Sequence, residues 1–194
     1  MNMPLKRETL FSLEQYSRIR PEFRMTVIEH KESRRVGLGE HATLHFEDSL
    51  TMQYQVQEML RLERIFDAGG IEQELEVYNP LIPDGTNWKA TFMIEYEDPE
   101  ERRQELLRLA GIEKKVWMEI GEYGRVYAIA NEDMDRETEG KTSAVHFLRF
   151  ELTPGMINAV KQGAALSAAI DHPHYQAQTV LQKEVRDSLE DDLD

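Results

Sequence analysis

The chain has 194 residues, 31% of them charged and 40% hydrophobic, with a formal net charge of −14 and no cysteine. The missing thiol excludes disulfides, a thiolate nucleophile, a zinc ribbon and iron–sulfur ligation by this chain. The acidic balance argues against nucleic acid and anionic membrane partners, which need basic patches.

The length is ample for one domain with a real core. No apolar run is long enough to span a membrane. The start, MNMPLKRETLF, has basic residues with no apolar stretch after them, so no secretory signal is expected. The expectation is a cytoplasmic single domain over 1–194, with an acidic loop at 132–141 and an acidic tail at 190–194.

Ser12 followed by Leu13-Glu14-Gln15 reads as a capping box that opens a first helix. Pro21 is expected to break or restart it, and RPEFRMTVIEHK then runs toward Arg34. VGLGEH reads as a loop. HATLHFE alternates as a strand, with Ala42, Leu44 and Phe46 on one face and His41, Thr43, His45 and Glu47 on the other. Asp48 or Ser49 caps a long helix over Ser49–Phe66, ended by Gly69-Gly70. IEQELEVYNP is a short helix stopped at Asn79-Pro80. Asn87–Glu97 alternates strongly, with Trp88, Ala90, Phe92, Ile94 and Tyr96 toward a core.

Asp98-Pro99-Glu100 starts a helix that runs to Leu109. KKVWMEIG, RVYAIAN and AVHFLRFEL are strand-like, and Thr153-Pro154-Gly155-Met156 opens another helix. Gly163–Ala169 reads as loosely ordered, and Asp171–His174 as the cap of a final helix with Tyr175, Val180, Leu181, Val185 and Leu189 as its stripe. The fold class is α+β: roughly a five-stranded, mainly antiparallel sheet with about six packed helices. Trp88, Phe92, Ile94, Val116, Met118, Leu148 and Phe150 are expected buried on one sheet.

Three constellations carry candidate chemistry. On the Ser49–Phe66 helix, Gln53, Gln57, Arg61 and Arg64 read as the wet face. Thr51, Gln55 and Glu58 form a second stripe beside Leu62, Ile65 and Phe66. A carboxylate in such company must find a partner, protonate or bind something. With His146, on the apolar face of AVHFLRF, these give the catalytic candidates Glu58, His146, Thr51 and Gln55, an acid–base pair for a small polar substrate. His45 and Glu47 share a strand face, and helix packing that brings Glu58 to them would suit a divalent metal. A plain solvent-facing pair is the competing reading. Arg20, Arg24, Arg34 and Arg35 form a candidate anion site if they converge; otherwise they are a solvated face. A di-iron carboxylate site lacks its Glu-x-x-His pairs, and no P-loop, dinucleotide or nucleophile-elbow motif occurs.

RIRPEFR (Arg18–Arg24), Arg34–Arg35, HFEDSLTMQYQVQEMLRLER (His45–Arg64), YNPLIPDG (Tyr78–Gly85), AVHFLRF (Ala144–Phe150) and DHPHY (Asp171–Tyr175) span nearly the whole chain. Through them the chain resembles a bacterial domain-of-unknown-function family, number three-five-zero-one. The resemblance implies no catalytic residue. It implies a genomic setting beside a rubrerythrin-like protein and an iron–sulfur oxidoreductase subunit, hence a role near peroxide defence or electron transfer. The functional expectation is an accessory protein of a redox or oxidative-stress system that binds a partner and a metal. The alternatives are an enzyme or binding module for a small anionic ligand, using the arginines and a buried Glu/His site.

Overall fold

Ser12 accepts a hydrogen bond from Gln15 N (3.2 Å), and the Gln15 side chain accepts one from Ser12 N (3.0 Å), so the expected capping box starts α1, Leu13–Glu32. In the computed structural model, which describes residues 2–130 and 142–194, α1 runs unbroken through Pro21. The carbonyl that Pro21 deprives of an amide partner belongs to exposed Ser17, where solvent is free to replace the bond. The expected acidic loop at 132–141 lies outside the described residues.

Two antiparallel sheets follow. The first has the order β1-β2-β3-β7-β6, from Arg35–Gly37, Ala42–Phe46, Asn87–Ile94, Val145–Glu151 and Ile129–Ala130. The second has the order β5-β4-β8-β9, from Arg125–Tyr127, Val116–Ile120, Leu166–His172 and Tyr175–Val180. Residues 125–130 serve both: Tyr127 pairs with Trp117 in the second sheet, and Ile129 pairs with Arg149 in the first. At the far edges Tyr175 Oη donates to Leu38 O (2.7 Å) and accepts from His41 N (3.0 Å), latching β9 to the β1–β2 turn. Gly39 makes that latch fit. Its φ is +76°, and a Cβ there would lie 2.6 Å from Tyr175 Oη.

The main core draws alternate side chains from both sheets, among them Leu44, Phe92, Phe150, Met118 and Ile170. Residues of α4 (Pro99–Arg108), α5 (Pro154–Lys161) and α6 (Lys183–Glu190) complete it. A second, smaller core of Leu5, Met52, Val56, Leu60, Leu75 and Ile82 binds the N-terminal segment to α2 (Ser49–Glu63) and α3 (Ala68–Tyr78).

The α+β class and the count of six α-helices among the described residues agree with the sequence reading. Among the described residues the strands differ in number: five and four in two sheets rather than about five in one. The seven residues expected on one sheet are all buried, but Val116 and Met118 lie on β4 of the second sheet. Of the segment read as loosely ordered, Leu166–Ala169 belong to β8, because Leu166, Ala168 and Ile170 reach the core at every second position. The expected last helix begins with strand β9, and only Lys183–Glu190 is helical. Val185 and Leu189 lie on the inner face of α6, whereas on β9 Tyr175 turns inward and Val180, five residues on and 65% exposed, faces out. α2 stops at Glu63 with Arg64 in the left-handed region (φ 57°), so Gly69 and Gly70 fall in the first turn of α3, whose cap Asp67 accepts from Gly70 N. The acidic terminus is anchored: Asp192 and Leu193 are buried, and Asp194 N donates to Gly85 O (3.0 Å). Among the described residues no helix is long and apolar enough to cross a membrane.

Candidate functional site

α1 runs antiparallel along α2, so Tyr16 and Arg20 meet Glu58 near one end and His30 meets Asp48 near the other. The Glu58 carboxylate accepts from Tyr16 Oη (2.7 Å), from Arg20 Nε (2.7 Å) and Nη2 (2.9 Å), and from Arg61 Nη2 (3.2 Å). Its side chain is 14% exposed. The Arg20 fork, with help from Arg61 and Tyr16, holds this carboxyl at about 2 against burial that pushes it up. Burial and the bond to Glu58 push the Tyr16 phenol up.

The faces of α2 differ from the sequence reading. Leu62 (62% exposed) and Phe66 (73%) face solvent, while Gln57, expected outside, is fully buried. Gln57 accepts from Phe11 N (2.6 Å) and donates to Phe11 O (3.2 Å). The cause is that α2 has two neighbours, α1 on one flank and the N-terminal segment with α3 on the other, so a single wet stripe does not exist. Thr51 is spent on the helix cap, where its Oγ1 accepts from Asp48 N (2.9 Å). Gln55 is half-buried on the same helix. His146 lies elsewhere, so the imagined Glu58–His146 pair is not assembled.

The four arginines do not converge. Arg20 is engaged by Glu58, and Arg24 and Arg35 are exposed. Arg34 is buried and uses all five donors, on Phe46 O, Glu47 O, Ser188 O, Ser188 Oγ and Asp192 Oδ2. Asp48 lies 3.5 Å from Arg34 and 2.5 Å from His30 Nε2. Burial pushes the Asp48 carboxyl up, but His30, Arg34 and the Thr51 amide together hold it below the usual range.

His45 and Glu47 do share a face of β2. Glu47 accepts from Thr91 Oγ1 (2.6 Å) on β3, and burial pushes the His45 imidazole down. Glu58, held by α1, is not gathered with them: among the described residues no three His, Cys, Asp or Glu side chains converge.

His146 is instead part of a group the sequence did not show. It is fully buried at the start of β7, beside Phe92. Its Nε2 lies 2.8 Å from Thr142 Oγ1 and 3.0 Å from Ser143 O. Thr142 Oγ1 also donates to Glu113 Oε2 (3.3 Å), which is 4.0 Å from His146 Nε2. Glu113 stands on the short turn Ile112–Lys115 after α4 and is 0% exposed. In the sequence it sits between Ile112 and Lys114 and reads as solvated; nothing there signals that the turn tucks it inside. A separate cleft of about 410 Å³ lies between the N-terminal segment and α3, with Lys6 and Arg7 on one side and Glu72 and Glu76 on the other.

The family model described as "Protein of unknown function (DUF3501)" matches residues 4–193. The chain belongs to this family. The phrases that carried the resemblance, from RIRPEFR to DHPHY, lie within that span. A crystal structure of a protein from Burkholderia pseudomallei K96243, described as a novel protein of unknown function, is 49% identical and has a TM-score of 0.95. The match covers 99% of this chain and 100% of that one. No curated protein matches the chain.

Proposed function

We propose that this DUF3501 protein is an accessory protein that works by docking onto a partner protein, with the outer side of α1 as its docking face. The observation that carries this reading is the outward stripe of α1. Of its twenty residues only Tyr16 and Val27 are buried. Arg18, Pro21, Met25, Ile28 and Glu32 follow one another at helical spacing on the open side. Met25 is 65% exposed and Ile28 45%. Two large apolar side chains in the middle of a charged stripe match the pattern of an apolar centre and polar rim. Burying each fully is worth about 1.5–3 kcal/mol, enough to contribute materially to a protein contact.

The Glu58 cluster supports this reading, because bonds from Tyr16 and Arg20 fix the register of α1 on α2 and present the stripe rigidly. The class of partner rests on the resemblance alone, which points to a rubrerythrin-like or iron–sulfur redox protein. The test is a binding titration of each purified candidate against the wild type and the Met25→Glu/Ile28→Glu variant. Measurable binding by the wild type, lost in a variant of unchanged melting temperature, is the expected result. Equal binding by both overturns the face. If the same variant instead dissolves a homodimer, the stripe serves a second copy and the accessory reading fails.

A further inference from the structure

Strand β9, Tyr175–Val180, forms an open edge of the second sheet. In an antiparallel ladder, successive residues turn their backbone groups alternately toward and away from the neighbouring strand. Leu181 N donates to Leu166 O (2.9 Å), and the register runs from Ser167 on Val180 to His172 on Tyr175. The odd-numbered residues of β9 therefore serve β8. Gln176, Gln178 and Val180 turn their N–H and C=O groups outward in the plane of the sheet. Among the described residues none of these three N–H groups has an acceptor, and their carbonyls receive only a long contact, from Thr179 Oγ1 to Val180 O at 3.5 Å. The latch to Leu38 and His41 uses the Tyr175 hydroxyl and none of these groups.

An open ladder templates pairing with another chain, so exposed edges are ordinarily blunted by shortness, charge, proline or a bulge. The other edge strands, β1, β5 and β6, are only three, three and two residues long. β9 has six residues, YQAQTV, with no charge, proline or glycine, and its ladder to β8 is unbroken. It lies within 172–182, HPHYQAQTVLQ, the longest stretch of the chain without Asp, Glu, Lys or Arg, although 31% of all residues are charged. A second copy carries the same net charge of −14 and is repelled from most of the surface. It meets no like charge at this edge.

We propose that β9 pairs antiparallel with β9 of a second copy about a two-fold axis at Gln178, joining two four-stranded sheets into one continuous sheet. This register sets Gln178 opposite its own equivalent and Gln176 opposite Val180. Every outward N–H and C=O of both strands is then bonded. A shift by one position sets outward groups against inward ones, and a shift by two leaves an end residue without a partner. The exposed Gln178 side chains lie side by side on one face, and an amide, carrying both donor and acceptor, suits its own like. The contact is isologous and uses up the edge, so it closes at two copies. It involves no residue of the α1 stripe and does not rest on the docking proposed for it.

The full chain is followed by analytical ultracentrifugation and by hydrogen exchange across a dilution series from the high to the low micromolar range. The expected result is a monomer–dimer equilibrium in which the amides of Gln176, Gln178 and Val180 exchange at least about tenfold more slowly in the dimer. Gln178→Lys sets like charges opposite each other and should weaken association at least about tenfold, although one added positive charge makes the chain less negative overall. Gln178→Pro removes an N–H that β8 does not use, so the strand tolerates it, and should weaken association likewise. Gln73→Lys makes the same charge change at an exposed position of α3 and should leave association unchanged. A wild type that stays monomeric throughout overturns the proposal. So does a dimer whose β9 amides exchange as in the monomer, or one that both Gln178 variants keep. A dimer lost in Met25→Glu/Ile28→Glu but kept in the Gln178 variants belongs to α1 and overturns it as well.

Discussion

Replacing Glu58 with Gln keeps the shape of the side chain and removes its charge, which makes it a direct test of the α1–α2 cluster. A carboxyl held at about 2 rather than 4.5 in the folded protein corresponds to at most about 3 kcal/mol at neutral pH. Solvent reduces this, because the Arg20 side chain is 33% and Arg61 37% exposed; about 1–2 kcal/mol is the expected loss. For a chain of this size that lowers the melting temperature by roughly 2–8 °C. The sign follows from the depressed folded-state value. The stabilisation is fully present above the unfolded value near 4.5 and disappears as pH falls toward 2. The gap between wild type and Glu58→Gln should therefore be full at pH 7, narrow below about pH 5 and nearly close at about pH 2. Thermal unfolding followed by circular dichroism across that range reads it. Equal melting at pH 7, or a gap that does not narrow in acid, refutes the electrostatic account of α1 docking.

Two further outcomes are expected. Arg34→Lys leaves a compact ammonium where five donors were used, so Asp192 and several buried carbonyls lose partners. Urea unfolding should show a loss of about 3–5 kcal/mol, close to that of Arg34→Ala, and a near-neutral result would refute the role of the fork. Tyr175→Phe removes the hydroxyl that joins Leu38 O and His41 N and should cost about 1–3 kcal/mol, with faster hydrogen exchange at the His41 amide; unchanged exchange would refute the latch.

What could be read from the sequence follows the range of the interactions. Ser12, Asp48, Asp98 and Thr153 announced their helices because caps act within three residues. Trp88, Phe92, Leu148 and Phe150 announced their strands by alternation. The hairpin β8–β9 was hidden because Ala168 and Ala169 carry little hydropathy contrast, and Tyr175, Leu181, Val185 and Leu189 fall within one arc at the helical period. The need of Glu58 for a partner was legible, and the choice of Arg20 over a histidine was not, since it depends on α1 lying antiparallel to α2. Gln57 shows the same limit: its burial comes from the Phe11 backbone, forty-six residues away. Glu113 and His146 were the least visible together, for no local pattern ties a turn after α4 to the start of β7.

The Arg34 fork has a consequence for the cooperativity of this fold. Its carboxylate partner stands 158 positions downstream, and the backbone it grips at Ser188 is nearly as far. Before that downstream segment docks, the buried guanidinium has Asp48 at 3.5 Å but lacks its close carboxylate and the Ser188 acceptors. The corner between α1 and β2 is therefore satisfied only when Ser188 and Asp192 are in place, which ties two distant parts of the chain into one cooperative unit. A variant lacking Asp192–Asp194 loses the Arg34 carboxylate, the Leu193 bridge to Gly85 and the Asp194 bond beside it, so its loss of stability should be at least that of Arg34→Ala.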